Sequence, residues 1–151
     1  MTETTISELK IIVFQLKNKE YAIPVTQVRS IEKMQHITRV PGVAQYIKGV
    51  INLRGLVTPI IDLGYRFGLA EAEMTDSTRI IIAVLNDSEV GLIVDAANDV
   101  LDIQTETIEP PPEIIGGNED EYVNGVVKIG KRLLILLDLE KVIKIANMIE
   151  V

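Results

Sequence analysis

The stretch Tyr46-Ile-Lys-Gly-Val-Ile-Asn-Leu53 decides the fold, because a similar stretch, Tyr122-Val-Asn-Gly-Val-Val-Lys-Ile129, follows 76 residues later. The match continues without a gap from Ile60–Leu63 to Leu136–Leu139, with Tyr, Gly, Val, Asp and Leu identical between the two stretches. Self-similarity at a fixed spacing is typical of a duplicated structural unit.

A second pair of segments repeats in the same order at an offset of 69 residues. Each begins with an apolar run, Ile11–Leu16 or Arg79–Leu85, and resumes after a polar turn in a second run, Glu20–Val25 or Glu89–Val94. The polar turns are Lys17-Asn18-Lys19 and Asn86-Asp87-Ser88. Apolar runs of this length around such turns predict strands. Two matched pairs in one order argue for a duplication.

Each copy therefore reads as strand, turn, strand, connection, strand, tight glycine turn, strand and short helix. Ile- and Val-rich strands with tight turns predict an all-β fold of two small antiparallel barrels, since closing a sheet removes its exposed edges. Asp62 and Asp138 end the last strands, where a carboxylate can cap a following helix. An apolar stripe predicts an amphipathic C-terminal helix: Leu139, Val142, Ile143, Ala146 and Ile149.

The domain boundaries follow from the same pattern. We expect a disordered N-terminus over residues 1–9 and one domain over residues 10–147. Its approximate halves are residues 10–77 and 78–147, and the sequence leaves open whether strands are exchanged between the two lobes. The Pro- and Gly-containing acidic connection at 109–121 is predicted to be the most mobile internal segment.

Composition excludes several classes of protein. The 151-residue chain carries a net charge of −7, which disfavours binding to the phosphate backbone of a nucleic acid and to an anionic lipid surface. It has no cysteine, so no disulfide framework is expected, in keeping with the reducing cytoplasm. The N-terminus lacks the pattern of a secretory signal, and no apolar run approaches membrane-spanning length.

The sequence contains no convincing catalytic or metal-binding constellation. His36 is the single histidine and lies in a polar stretch, so we interpret it as a solvated turn residue. Asp95 and Asp99 could share a site, but loop carboxylates in solvent are the favoured interpretation. The run Glu119–Glu121 lacks the spacing of a calcium loop, and Gly116-Gly117 lacks that of a nucleotide loop. We expect no catalytic residue, no metal and no cofactor.

Arg54 is the most conspicuous charged residue. It lies at a tight turn in Leu53-Arg54-Gly55-Leu56, between apolar neighbours. A solvated turn arginine and an arginine aimed at a partner are equally compatible with the pattern, although arginine is favoured at interfaces.

Taken together, these motifs resemble the CheW family of bacterial chemotaxis coupling proteins, over about residues 10–145. The matching stretches are Glu20–Ile23, Val28–Ile31, Thr38–Pro41, Gly49–Gly55, Thr58–Leu63, Val90–Asp95, Gly125-Val126 and Leu133–Asp138. The resemblance implies two five-stranded SH3-like β-barrel lobes around a shared core, without catalysis. It implies a cytoplasmic scaffold that couples transmembrane chemoreceptors to the histidine kinase CheA in membrane-associated arrays.

The resemblance also implies which residues bind partners. The receptor's cytoplasmic hairpin tip would dock between the lobes, on Val28, Ser30, Ile31, Gly49, Arg54, Ala97 and Val100. The regulatory domain of CheA would bind through lobe ends, and the residues assigned to it are Val40, Pro41 and Val43. Two alternatives remain open: a CheW-like module of a multi-domain signalling protein, and a small β-barrel ligand-binding protein.

Overall fold

The computed structural model describes residues 7–111 and 122–146, so the runs at 116–117 and 119–121 and the end of the C-terminal stripe at Ile149 lie outside the described residues. Ten strands and two short α-helices occupy these ranges. In chain order they are β1 (Glu8–Leu16), β2 (Lys19–Pro24), β3 (Val28–Lys33), β4 (Ile47–Leu53), β5 (Leu56–Asp62), α1 (Leu63–Arg66), β6 (Arg79–Leu85), β7 (Ser88–Val94), β8 (Ala96–Gln104), β9 (Val123–Ile129), β10 (Arg132–Leu137) and α2 (Leu139–Ala146).

The strands form two five-stranded sheets, which confirms a mostly β fold. The first sheet has the order β8-β1-β2-β10-β9 and the second the order β3-β6-β7-β5-β4. Each sheet takes a two-stranded hairpin from one copy of the repeat and three strands from the other. The expectation of purely antiparallel sheets is wrong, because this exchange places β10 parallel to β2 and β5 parallel to β7.

The predicted polar turns are present, and each is two residues long because Lys19 and Ser88 already belong to the following strands. Both central residues have positive φ in the β1–β2 turn (Lys17 47°, Asn18 72°) and in the β6–β7 turn (Asn86 51°, Asp87 68°). In the β4–β5 turn φ is positive at both central residues as well, at 51° for Arg54 and 82° for Gly55. Two-residue turns of this kind match the right-handed twist of the flanking strands, so they fix the register of each hairpin.

Two glycines at equivalent positions show how closely the copies correspond. Gly49 in β4 lies against Thr38, which exchanges two backbone hydrogen bonds with Val50 (2.9 and 2.8 Å). Gly125 in β9 lies against Glu109, which exchanges two with Val126 (both 2.9 Å). A Cβ atom at Gly49 would be 2.1 Å from the carbonyl oxygen of Thr38, so only glycine allows the two backbones to come this close.

The helix starts are also duplicated. The backbone N–H of Asp62 donates to the Tyr46 carbonyl at 2.8 Å, and that of Asp138 donates to the Tyr122 carbonyl at 2.7 Å. The buried Asp62 carboxylate caps α1 by accepting from the Tyr65 N–H at 3.2 Å, and the Asp138 carboxylate accepts from the N–H of Glu140 at 3.1 Å. The predicted capping role of both aspartates is confirmed.

Buried side chains form three clusters because most strands are covered on both faces. A shared core lies between the sheets and includes Phe14, Tyr21, Ile61, Leu92 and Tyr122. Each sheet also has an inner core on its opposite face: Ile11, Val13, Val127 and Leu134 in the first sheet, and Ile51, Ile60, Ile80 and Ile93 in the second. Burial on both faces explains apolar runs such as Ile80–Ile82.

The chain ends refine two expectations. β1 begins at Glu8, inside the segment expected to be disordered, because Leu9 pairs with Ile103 of β8. At the other end α2 spans Leu139–Ala146, and its residues Leu139 and Val142 are buried in the shared core. Within the described ranges, neither helix has the length and apolar character needed to cross a bilayer.

Candidate functional site

β3 and β8 are equivalent strands, and each is the terminal strand of its sheet. On β3, Val28 pairs with Ala83 and Ile31 pairs with Ile81, and both β6 partners belong to the shared core. Directly paired residues project on the same face of a sheet. Val28 and Ile31 therefore lie on the face of the second sheet that is turned toward the first.

β8 repeats this arrangement on the first sheet. Ala97, the counterpart of Val28 at the 69-residue offset, pairs with Phe14 and packs against the shared core. Val100, the counterpart of Ile31, pairs with Ile12. Ile31 is 42% exposed and Val100 57% exposed, so each terminal strand presents a large apolar side chain to solvent beside the shared core. We call Val28, Ile31, Ala97 and Val100 the wall residues.

A β-bulge at the same place in both strands produces this geometry. The register shifts between Val28 and Ser30 in β3, and between Ala97 and Asp99 in β8. A bulge inserts one residue, so residues three apart come to lie on one face. Ser30 consequently pairs with Ile82 and faces the inner core of the second sheet, where its Oγ is buried and has no partner among the described residues.

Ion pairs flank both walls, but with different partners. Arg29 pairs with Glu89 at 2.6 Å beside the β3 wall. Beside the β8 wall, Arg132 donates two hydrogen bonds to the Glu20 carboxylate (3.0 and 2.8 Å) and one to Asp99 (2.9 Å). The hydrogen bonds to Glu20 and then Asp99 raise the pKa of Arg132 above its ordinary value, so it remains cationic at any working pH.

Arg54 is close to β3, whereas Gly49 is a packing residue. The half-exposed Arg54 side chain reaches Glu32 of β3, with Nη1 4.0 Å from Oε2. Its turn thus lies near the strand that carries Val28 and Ile31. Gly49 lies in β4 under the carbonyl of Thr38, where it accommodates backbone and offers no side chain to a partner.

The residues assigned to the kinase lie apart from the wall residues. Val40, Pro41 and Val43 line an open cavity of about 610 Å³ in the connection before β4. Lys48 reaches into the same cavity, pairs with Glu71 and lies 5.4 Å from the Tyr65 ring centroid. The hydrogen bond from Lys48, with its charge, holds the pKa of Glu71 below its ordinary value.

The sequence analysis missed a second duplicated apolar pair. Val57 is the second residue of β5 and is 70% exposed, and Leu133, its counterpart at the 76-residue offset, is the second residue of β10 and is 46% exposed. Each lies two residues beyond the tight turn that precedes its strand. Comparing the two copies position by position could have found the pair, because both are apolar at the second position after a tight turn.

The carboxylates singled out in the sequence do not form a site. Asp95 accepts a hydrogen bond from the Lys17 backbone N–H at 2.8 Å, while Asp99 pairs with Arg132. His36 is exposed. Across residues 7–111 and 122–146, no group of three histidine or acidic residues is arranged to hold a metal ion.

Comparisons with known proteins agree with this architecture. The model of the CheW-like domain matches residues 10–147. The chemotaxis protein CheW of Bacillus subtilis is 54% identical over 134 residues, which cover 89% of this chain and 86% of the relative. The chemotaxis protein CheW of Klebsiella aerogenes is 36% identical over 137 residues, which cover 91% of this chain and 82% of that relative. The crystal structure of the scaffolding protein TtCheW from Thermoanaerobacter tengcongensis superposes with a TM-score of 0.81 at 35% identity, covering 87% of this chain and 89% of that one. The chain belongs to the CheW family.

Proposed function

We propose that this protein is a non-catalytic chemotaxis adaptor that couples transmembrane chemoreceptors to the histidine kinase CheA. Family membership and the similarity to a scaffolding protein support the adaptor role. The observation that carries the coupling mechanism is the pair of exposed apolar side chains, Ile31 and Val100, on terminal strands of different sheets. Because one chain then offers a surface between the sheets and others at their ends, it can hold two partners at once.

The receptor is proposed to bind between β3 and β8. A receptor hairpin tip is a pair of helices with apolar side chains at helical spacing, and such a helix docks in an apolar groove. Of the wall residues, Ile31 and Val100 supply exposed aliphatic contacts from both sides, and Val28 and Ala97 pack against the shared core between them. Ser30 lies on the other face of β3, so it would support the wall rather than contact the receptor.

The kinase is proposed to bind at the ends of the lobes. The consecutive exposed residues Leu56 and Val57 offer an apolar surface on the second sheet and Leu133 offers one on the first, and contiguous exposed apolar surface marks an interaction site. The connection that carries Val40, Pro41 and Val43 would extend the contact on the side of the second sheet. Two end surfaces on one chain would allow it to bridge neighbouring kinase domains, and assembly into arrays would raise the apparent affinity.

Each sheet is proposed to close into an SH3-like barrel. In the first sheet Arg132 of β10 contacts Asp99 of β8, although two strands lie between them in the sheet order. In the second sheet the Arg54 turn contacts Glu32 of β3 from the opposite edge. These contacts support strongly curled sheets, each with its own inner core. The proposed location is the cytoplasm, with recruitment to receptor arrays at the membrane.

A binding assay with single-site variants tests the two surfaces separately. Ile31→Lys and Val100→Lys should abolish binding of a receptor cytoplasmic fragment while leaving binding of the CheA regulatory domain unchanged. Val57→Lys is the matched control, a still more exposed apolar residue proposed to bind the kinase, and should weaken kinase binding only. If the parent protein bound neither the receptor fragment nor the CheA regulatory domain, the coupling function would be refuted. If every variant lost binding to both partners equally, the separation of the two surfaces would be refuted.

Arg54 supplies a further test of coupling. Its long ion pair with Glu32 is exposed, and such pairs contribute about 0–1 kcal/mol, so Arg54→Ala should leave the melting temperature nearly unchanged. The variant should nevertheless lose kinase activation in reconstituted arrays, as expected if the guanidinium is aimed at a partner. Glu32→Gln is the control for loss of the ion pair alone. Full kinase activation by Arg54→Ala would remove this residue from the site.

A further inference from the structure

Arg66, the last residue of α1, lies between two tyrosines that occupy equivalent positions in the two copies. Its guanidinium carbon is 4.9 Å from the ring centroid of Tyr46 and 5.2 Å from that of Tyr122. Tyr46 directly precedes β4 of the second sheet, and Tyr122 directly precedes β9 of the first. One cation therefore contacts segments that lead into both sheets.

The surroundings of Arg66 favour a strong contact with these rings. Its Nε atom is buried and has no hydrogen-bond partner in the described part of the chain. A guanidinium stacks well on aromatic faces, and the attraction between a cation and a ring grows as water is removed. The Tyr122 ring is itself fixed by Phe67, 5.3 Å away between centroids, in a line of aromatic rings through the shared core.

The second copy shows that packing alone does not require an arginine here. Val142 occupies the corresponding position of α2, three residues after the buried Leu139 as Arg66 is after the buried Leu63. Val142 is completely buried in the shared core. Taking a charged group out of water is unfavourable, so Arg66, at the equivalent position of the first copy, needs an interaction that compensates for its lost hydration. The contact with a tyrosine from each copy supplies one.

We propose that Arg66 is a positioning residue that clamps the two sheets in one relative orientation and thereby sets the separation of the wall residues on β3 and β8. The walls belong to different sheets, so any rotation of one sheet on the shared core changes the distance between them. The clamp itself rests only on the geometry around Arg66. Its consequence for receptor binding rests on the function proposed above.

The separation of the sheets can be measured directly because the chain has no cysteine. Nitroxide labels would be attached to Lys33→Cys on β3 and Asp102→Cys on β8, two exposed residues at equivalent positions. Pulsed electron resonance should give one narrow distance distribution in the parent protein. Arg66→Met, which keeps an unbranched aliphatic chain between the rings, should widen that distribution about twofold. The control Arg39→Met removes an exposed arginine in the connection between β3 and β4, on neither labelled strand, and it should change nothing.

A purely structural role would give a different result. It would lower the melting temperature of Arg66→Met and leave the distance distribution as narrow as in the parent, and that outcome would overturn the proposal. Should Arg66→Met fail to fold, Arg66→Lys and Tyr46→Leu decide the matter, since each removes part of the clamp. Widening in both supports the clamp, and parental widths in both refute it.

Receptor binding gives the second readout. The affinity of unlabelled Arg66→Met for a receptor cytoplasmic fragment should fall about tenfold, while its affinity for the CheA regulatory domain stays at the parental value. A parental receptor affinity in a variant with a widened distribution would refute the link between clamp and groove. If the parent protein itself does not bind the receptor fragment, the proposed function fails, and the distance measurement still decides the clamp.

Discussion

Replacing Gly49 with alanine should destabilise the fold by about 4 kcal/mol, more than the same change at its counterpart Gly125. A Cβ atom at Gly49 would be 2.1 Å from the Thr38 carbonyl oxygen and 2.8 Å from its carbonyl carbon. Backbone atoms cannot rotate away as a side chain can, so the strand pairing around Thr38 must open. The φ of +142° at Gly49 adds strain for any L-residue with a side chain.

The expected magnitude follows from these two terms. Opening the pairing removes the two hydrogen bonds between Thr38 and Val50, each contributing about 1 kcal/mol. A side chain in so sparsely populated a backbone region costs about 1–3 kcal/mol. The sum is about 3–5 kcal/mol, a large part of the roughly 5–15 kcal/mol that stabilises a typical domain. At Gly125 the nearest atoms would be a methyl group of Ile108 at 2.7 Å, which can move, and the carbonyl oxygen of Glu109 at 2.9 Å, a much smaller backbone overlap than at Gly49. Overpacking of this kind costs about 1–3 kcal/mol.

Urea denaturation followed by far-ultraviolet circular dichroism measures both variants on one scale. The urea concentration at the midpoint of unfolding should fall more for Gly49→Ala than for Gly125→Ala. The slope of the unfolding free energy against urea concentration should stay unchanged. Gly64→Ala is the control, since its nearest atom would be 3.7 Å away and alanine is favoured over glycine in a helix. Gly49→Ala with parental stability and a selective loss of receptor binding would refute this reasoning and make position 49 a contact site.

Two further predictions concern the ion pairs. Arg132→Gln should reduce stability by about 1 kcal/mol in urea titrations at low salt, with a smaller loss at high salt, because its bonds to Glu20 and Asp99 are partly exposed. Lys48→Ala should return the lowered pKa of Glu71 to its ordinary value, as measured by NMR titration of its carboxyl carbon. Because the folded pKa lies below the unfolded one, the contribution of Glu71 to stability is present above the unfolded pKa. It is lost as the pH falls through the folded pKa, so parent and Lys48→Ala should converge in acid.

Local features of the fold were predictable because they depend on short stretches of sequence. The tight turns at Lys17-Asn18 and Asn86-Asp87 and the capping role of Asp62 require only neighbouring residues. The pairing of hairpins is different. The β1–β2 and β6–β7 hairpins have nearly the same apolar pattern, so either could complete either sheet by pattern alone. The exchange of strands depends on long-range packing, and the parallel pairs that follow from it could not be predicted from periodicity.

The candidate site could be predicted only in part for a related reason. The resemblance pointed to Val28, Ile31, Ala97 and Val100, and the structure places these on faces that turn toward the shared core. It could not show that a bulge turns Ser30 to the opposite face, because one inserted residue reverses the alternation along a strand. Receptor binding by any of these residues stays a prediction.

The positions at which the two copies differ bear on the proposal that a symmetrical framework binds two different partners. Buried positions such as Leu63 and Leu139 are identical or similar, since both sheets need the same cores. The surface has diverged: Arg132 stands where the first copy has the exposed Leu56, so the β8 wall carries the network of Arg132 with Glu20 and Asp99, whereas the β3 wall carries the Arg29–Glu89 pair. A groove with equivalent apolar walls would accept a helix in either direction. The unequal charges beside those walls make the two directions differ in energy, so they are the features able to select one orientation of a bound helix.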